Sequence, residues 1–211
     1  MENFFNPEGS VMRALSRIAD LAILNILWLL CSIPVVTAGA ATTALYYMTV
    51  KMVRNEEGYL VRGFFKAFRE NFKKATTIWL LLLVVSFILG TDFYIMCHWQ
   101  SMMRYPMLVL ILMAGLVLAF VAMYVFMLIG TFENTLIQYV KNAFFMSIRH
   151  LPLTILLVGI VVIQFFVCNF MVVNSEYIPL VLLFGMSVFA YAMSFVYVKV
   201  LKHYIAPEVD E

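Results

Sequence analysis

Charge is what this sequence has least of. Only 12% of its 211 residues are Asp, Glu, Lys or Arg, about half the share found in soluble domains, while 64% are hydrophobic and the mean hydropathy is +0.97. Two long stretches, from Lys74 to Arg104 and from Arg149 to Lys199, run almost without charge. Blocks such as LLLLVVSFIL (80–89) and LLVGIVVIQFFV (156–167) have no place in a soluble domain. The polar segments between them are too short to fold alone, so residues 1–211 read as a single membrane domain.

The motifs of chemistry are missing as well. There is no phosphate-cradling GxxxxGK[ST], no HExxH and no nucleophile elbow, so the chain carries no ATPase of its own and no enzyme is expected. The three cysteines, Cys31, Cys97 and Cys168, show no CxxC or Cys/His spacing, which leaves no metal or redox motif and no expected cofactor. They read as buried small hydrophobes, a disulfide between two of them being the alternative. The net charge of +2 belongs to basic loops and does not point to nucleic acid. The first residues, with Glu2 and Glu8, do not read as a cleavable signal, so the first span is expected to be retained.

What is present is an all-α, polytopic pattern. Spans are expected at 75–97, 107–131, 152–173 and 178–200. Residues 21–50 form an uncharged run that would be about 45 Å long as one helix, too long for a hydrocarbon core of about 30 Å. Pro34 resolves this by breaking the run into a hairpin, with one helix over Val11–Cys31 and a second over Val35–Arg54. Residues 51–74 hold seven Lys or Arg, and Lys141, Arg149, Lys199 and Lys202 mark two further basic segments. The connections 98–106 and 174–177 hold only Arg104. The positive-inside rule then gives six spans with both termini cytoplasmic, the alternative being five spans with 21–50 tilted or re-entrant.

The two basic segments match at an offset of 76 residues. Val61, Phe64, Phe68, Phe72 and Ala75 fall on Ile137, Val140, Phe144, Ile148 and Leu151, Lys73-Lys74 fall on Arg149-His150, and Glu57 falls on Glu133. Each apolar set has the spacing of an amphipathic helix running straight into a span. Arg62, Lys66, Arg69 and Lys73 make a basic stripe on a neighbouring face. Such helices are expected to lie in the membrane interface against anionic headgroups, or to form a cytoplasmic docking surface, with Lys74, Lys141, Arg149 and His150 contributing. The unit of span, interfacial helix and span would occur twice, at about 35–97 and 112–173, as a parallel repeat.

Ionisable groups inside a membrane are functional candidates, and here they are few. Asp92 lies near the outer end of its span with His98 and Trp99 beyond, Asp20 near the inner end of the first, and Asn25, Gln164 and Asn169 at depth. Interhelical hydrogen bonding explains each as well as a substrate path does. In TAGAATTA (37–44), Gly39 with Thr43 and Ala40 with Ala44 place small residues four apart, which suits close helix packing, or else the lining of a conduit.

The segments LNILWLLCSIPVVTAGAATTALYYMTVKMVRNEEG (24–58), FFKAFRENFKKAT (64–76) and KNAFFMSIRHLPLTILL (141–157) resemble the YesL-like family of bacterial membrane proteins. The resemblance rests on Asn25, Trp28, Pro34, Thr37, Gly39, Thr42, Thr43 and Ala44, with Ala40 departing from a proline common in the family. It implies a multi-pass plasma-membrane protein of unknown function without assigned catalytic residues, often encoded beside carbohydrate ABC importers, their sensor kinases and glycoside hydrolases. The leading expectation is therefore a non-enzymatic accessory subunit of carbohydrate uptake, contacting a permease or a cytoplasmic protein. The alternatives are a permease-like transporter, for which Ile148–Pro152 resembles an ABC coupling motif only poorly, and a membrane enzyme resting on Asp92 and His98.

Overall fold

In the computed structural model, which describes residues 10–56, 58–99 and 102–201, the chain is a bundle of helices. Glu57, Lys202 and both termini, on which part of the expected repeat and topology depends, lie outside the described residues. Five helical segments are long and apolar enough to cross a membrane: Met12–Ser32, Leu60–His98, Arg104–Thr131, Leu151–Val173 and Ile178–Leu201.

The chain breaks at Pro34, as the uncharged run requires. Helix α1 covers Ser10–Ser32, a 3-10 turn covers Val35–Thr37, and α2 covers Ala38–Arg54. The two run antiparallel. Trp28 Nε1 donates to Thr42 Oγ1 at 3.1 Å near the turn, while Arg17 donates to Met52 O at 3.0 Å and to Asn55 Oδ1 at 2.7 Å at the far end. Asn55 itself takes a left-handed φ of 56°, which ends α2. At 17 residues α2 is about 26 Å long, and most of it is buried among its neighbours.

Next comes α3, Leu60–His98, a single helix of 39 residues and about 58 Å. The expected interfacial segment and the span after it are thus one unbroken helix. Its seat is also different from the expected stripe. Phe64, Ala67, Ala75, Ile78 and Leu82 are buried, whereas Val61 is 45% and Phe72 36% exposed. The reason is small residues. A Cβ on Gly39 of α2 would fall 2.9 Å from Ala75 O, and one on Gly63 of α3 would fall 2.8 Å from Met48 Sδ. Helices α2 and α3 approach through glycine and alanine, with Phe64 buried and Phe68 packed on the core, while Phe65 and Phe72 are left outward.

Helix α4 (Arg104–Thr131) returns and buries its last turns, and α5 (Leu136–Arg149) folds back on it. A capping box at Thr135 and Gln138 starts α5. Its buried residues are Tyr139, Ala143, Met146 and Ser147, while Ile137, Ile148 and Leu151 are exposed, so the second expected stripe is rotated in the same way. The chain bends at His150 before α6 (Leu151–Val173).

The expected last span, 178–200, is two helices. Helix α7 covers Ile178–Phe184 and α8 covers Ser187–Leu201, with Gly185 and Met186 in a turn between them. A hydropathy profile sees one apolar run because the turn residues are themselves apolar or neutral.

Candidate functional site

Three places hold the residues that the sequence singled out. The first is the helix break in the last span. Interrupting a helix in an apolar setting strands carbonyls before the break and N–H groups after it, and no water is there to take them. Asn25 on α1, 1% exposed, takes both sets. Its Nδ2 donates to Leu182 O at 2.7 Å and Val181 O at 3.4 Å, and its Oδ1 accepts from Met186 N at 2.9 Å and Ser187 N at 3.0 Å. From α6, Gln164 Nε2 donates to Gly185 O at 3.4 Å and lies 3.1 Å from Met186 Sδ, and Cys168 Sγ lies 3.7 Å from Gly185 O. Asn25 and Gln164 thus converge on one turn, as polar groups of a structural joint.

Asn169 does not join them. It is exposed and bonds Phe165 O of its own helix. Asp92 is exposed near the C-terminal end of α3, and His98 bonds Tyr94 O at 2.9 Å. The cysteines are free, but Cys97 is exposed, against the expectation of burial, because this end of α3 has few neighbours.

The second place is the Pro34 hairpin. Thr37 Oγ1 lies 2.6 Å from Cys31 O and 2.8 Å from Pro34 O, closing the turn from within. Trp79 of α3 donates to Val35 O at 2.7 Å, a contact with no signature in the sequence. Thr43 is fully buried and bonds Gly39 O, and Ala40, Ala41 and Ala44 are fully buried too. Close packing, not a conduit, accounts for TAGAATTA. Thr37 serves the turn, Gly39 the α2–α3 contact, and Thr42 accepts from Trp28 across the hairpin.

The third place is the basic end. Arg62, Lys66, Arg69 and Lys73 are all exposed on α3 and alternate with the outward Phe65 and Phe72. Two shallow grooves share Arg69 and Phe65: one runs over Val61, Arg62 and Lys66, the other over Phe68, Phe72 and Lys73. Lys66 lies 4.0 Å from Glu70, a weak pair in such an exposed place. Lys74 points the other way and sits 5.9 Å from the ring of Tyr139. Tyr139, fully buried, donates to Phe132 O at 2.6 Å and accepts from Asn134 N at 3.1 Å, holding the α4–α5 turn. On α5, Lys141 and Arg149 are exposed and His150 is half-buried at the bend. The α3 cations therefore form one surface, and Lys74 and His150 belong to the joints beneath it.

Among the described residues no group of His, Cys, Asp and Glu is placed to hold a metal ion. The chemistry available at these three places is packing, hydrogen bonding and charge.

Residues 21–93, about a third of the chain, match the model of a family described as a protein of unknown function, DUF624. The matched stretch contains the second half of α1, all of α2 and α3 as far as Phe93, so it takes in the hairpin and the basic surface. No curated protein and no solved structure matches the chain.

Proposed function

We propose that the chain is a non-enzymatic accessory subunit of a membrane assembly, and that the outward face of α3 is its contact surface for another protein. The single observation that carries this is the continuity of α3. The stretch from Ala75 to His98 alone is about 36 Å long, enough for a hydrocarbon core of about 30 Å. Residues 60–74 therefore stand about 22 Å proud of it, holding Arg62, Phe65, Lys66, Arg69 and Phe72 away from the bilayer. Exposed aromatic and Arg side chains together suit a protein interface, and the basic ring suits an acidic partner.

In this reading the basic end faces the cytoplasm, α2 crosses with α1 as a hairpin, and the bundle has six spans. The helix limits support a parallel repeat, since α3 starts at Leu60 and α5 at Leu136, 76 positions apart. Carbohydrate import is the proposed setting; it rests on the resemblance to the YesL-like family, with which the matched family model is consistent.

The test is co-purification from sugar-induced cells of the intact chain and of a variant carrying Arg62→Glu, Lys66→Glu and Arg69→Glu. The reading expects a transporter or kinase subunit to be recovered with the first and lost with the second. Recovery of neither, under conditions that keep known importers assembled, contradicts it.

The broken last span favours a second reading, a permease-like translocator, because interrupted helices line the substrate sites of many transporters. Against it, the groups freed at the turn are taken by Asn25 and Gln164. Flux of a labelled sugar into proteoliposomes containing this chain alone would establish that reading, and its absence would remove it.

A further inference from the structure

A groove of about 630 Å³ lies between the last turn of α4 and the face of α5. Leu128 and Met146, both buried, form its floor, Phe145 and Ile148 its wall, and Asn142 and Arg149 its rim. It sits where charge gives way to hydrocarbon: beyond His150 no charged residue occurs before Glu176. The apolar wall does not stop at the bend. Exposed Ile148 is followed by exposed Leu151 and Ile155 on α6, so apolar surface continues past the bend next to the groove.

The same arrangement occurs on α3. There the groove of about 430 Å³ contains Phe72 and Lys73, which stand 76 positions before Ile148 and Arg149. Lys73 and Lys74 are the last charges before Asp92. An apolar residue followed by a cation thus marks the same boundary in both halves of the chain, each time beside a groove.

We propose that the α4–α5 groove holds a phospholipid with an anionic headgroup. Its phosphate would meet Arg149 and the side-chain amide of Asn142, and the upper part of one acyl chain would lie over Leu128, Met146 and Phe145. Anionic headgroups gather at basic sites between helices at this level of a bilayer. A peptide helix fits less well, because following the apolar surface from Ile148 to Ile155 would carry its backbone into hydrocarbon. The proposal rests on the chain lying in a bilayer with this end at the boundary, and it is independent of any partner bound to the outer part of α3.

The test is thermal unfolding of the purified chain in a neutral detergent, titrated with phosphatidylglycerol, with phosphatidylcholine of the same chains, or with glycerol phosphate. Phosphatidylglycerol is expected to stabilise at about five-fold lower concentration than phosphatidylcholine, the effect of one boundary cation, and glycerol phosphate is expected to do nothing. Arg149→Gln should remove that preference, and Lys141→Gln, a like change of charge on α5 outside the groove lining, should keep it. Phe145→Glu also removes it and, at a residue 65% exposed, leaves the fold intact if Arg149→Gln does not. Equal response to the two lipids, equal loss in the Arg149 and Lys141 variants, or protection by glycerol phosphate would overturn the proposal. So would an acidic helical peptide that binds this groove while phosphatidylglycerol does not.

Discussion

Helix α3 and the α5–α6 pair start 76 positions apart, at Leu60 and Leu136, and end at His98 and Val173. One is a rod of 39 residues and the other bends at His150. The cause is legible in one position. Pro152 stands in the first turn of α6, where α3 has Thr76, and a proline there removes an N–H and crowds the carbonyl four residues back. The bend is then held by a neighbour two positions on. Thr154, fully buried, bonds Ser147 O at 2.8 Å and His150 O at 3.1 Å, and it pairs with Tyr124 OH at 3.0 Å. The equivalent of Thr154 in α3 is Ile78, which has nothing to offer a broken backbone. The last span shows the same rule at greater depth, with Asn25 holding the turn between α7 and α8. A break is tolerated in this bundle wherever a buried polar side chain takes the groups it frees.

The comparison is most sharply broken by Thr76→Pro. With Ile78 in the place of Thr154, α3 has no buried hydroxyl there to take the freed groups, and the variant should lose about 3 kcal/mol or more in reversible unfolding. A loss below about 1 kcal/mol would mean that α3 is already bent. Asn25→Leu comes next. It strands the Leu182 carbonyl and two N–H groups at the α7–α8 turn, Val181 O keeping its bond from Gly185 N, and a cost of about 2–3 kcal/mol is expected. Hydrogen exchange should rise at Met186 and Ser187 and stay unchanged in α3.

Thr154→Val keeps the shape of the side chain and removes its hydroxyl from a buried cluster, for an expected loss of about 1–2 kcal/mol. The smallest effect belongs to Pro152→Thr, which makes α6 resemble α3 at that position. Stability should move by less than about 1 kcal/mol, while amide protection appears at residue 152 if α5 and α6 fuse. An unprotected amide there would show that Thr154, not the proline, sets the bend.

Much of this architecture is written in single residues. Pro34 announces its hairpin, because one helix across residues 21–50 would overrun the bilayer, and the structure breaks there. The basic stripe from Arg62 to Lys73 is equally plain, since helical spacing alone puts those cations on one face. The apolar stripe coincides only in part with the buried face, for a physical reason. Hydrophobicity ranks Phe above Ala and Gly, yet Gly39, Gly63, Ala67 and Ala75 decide how close α2 and α3 come, and the close approach leaves Phe65 and Phe72 outside. The α7–α8 turn is hidden because its residues are as apolar as a span, and its signature, a buried amide, sits on α1 some 160 positions away. Asn25 could be noticed in the sequence, but not its partner.

The central claim is that α3 carries its outward face beyond the bilayer to meet another protein. A photo-crosslinking side chain placed at Phe65, 47% exposed on the basic half, tests this against one placed at Phe93, 42% exposed near the other end of the same helix. The account predicts a discrete protein adduct from position 65 in cells, lost when Arg62→Glu and Arg69→Glu are added, and none from position 93. Lipid adducts from both positions, or a protein adduct indifferent to the two arginines, would contradict it.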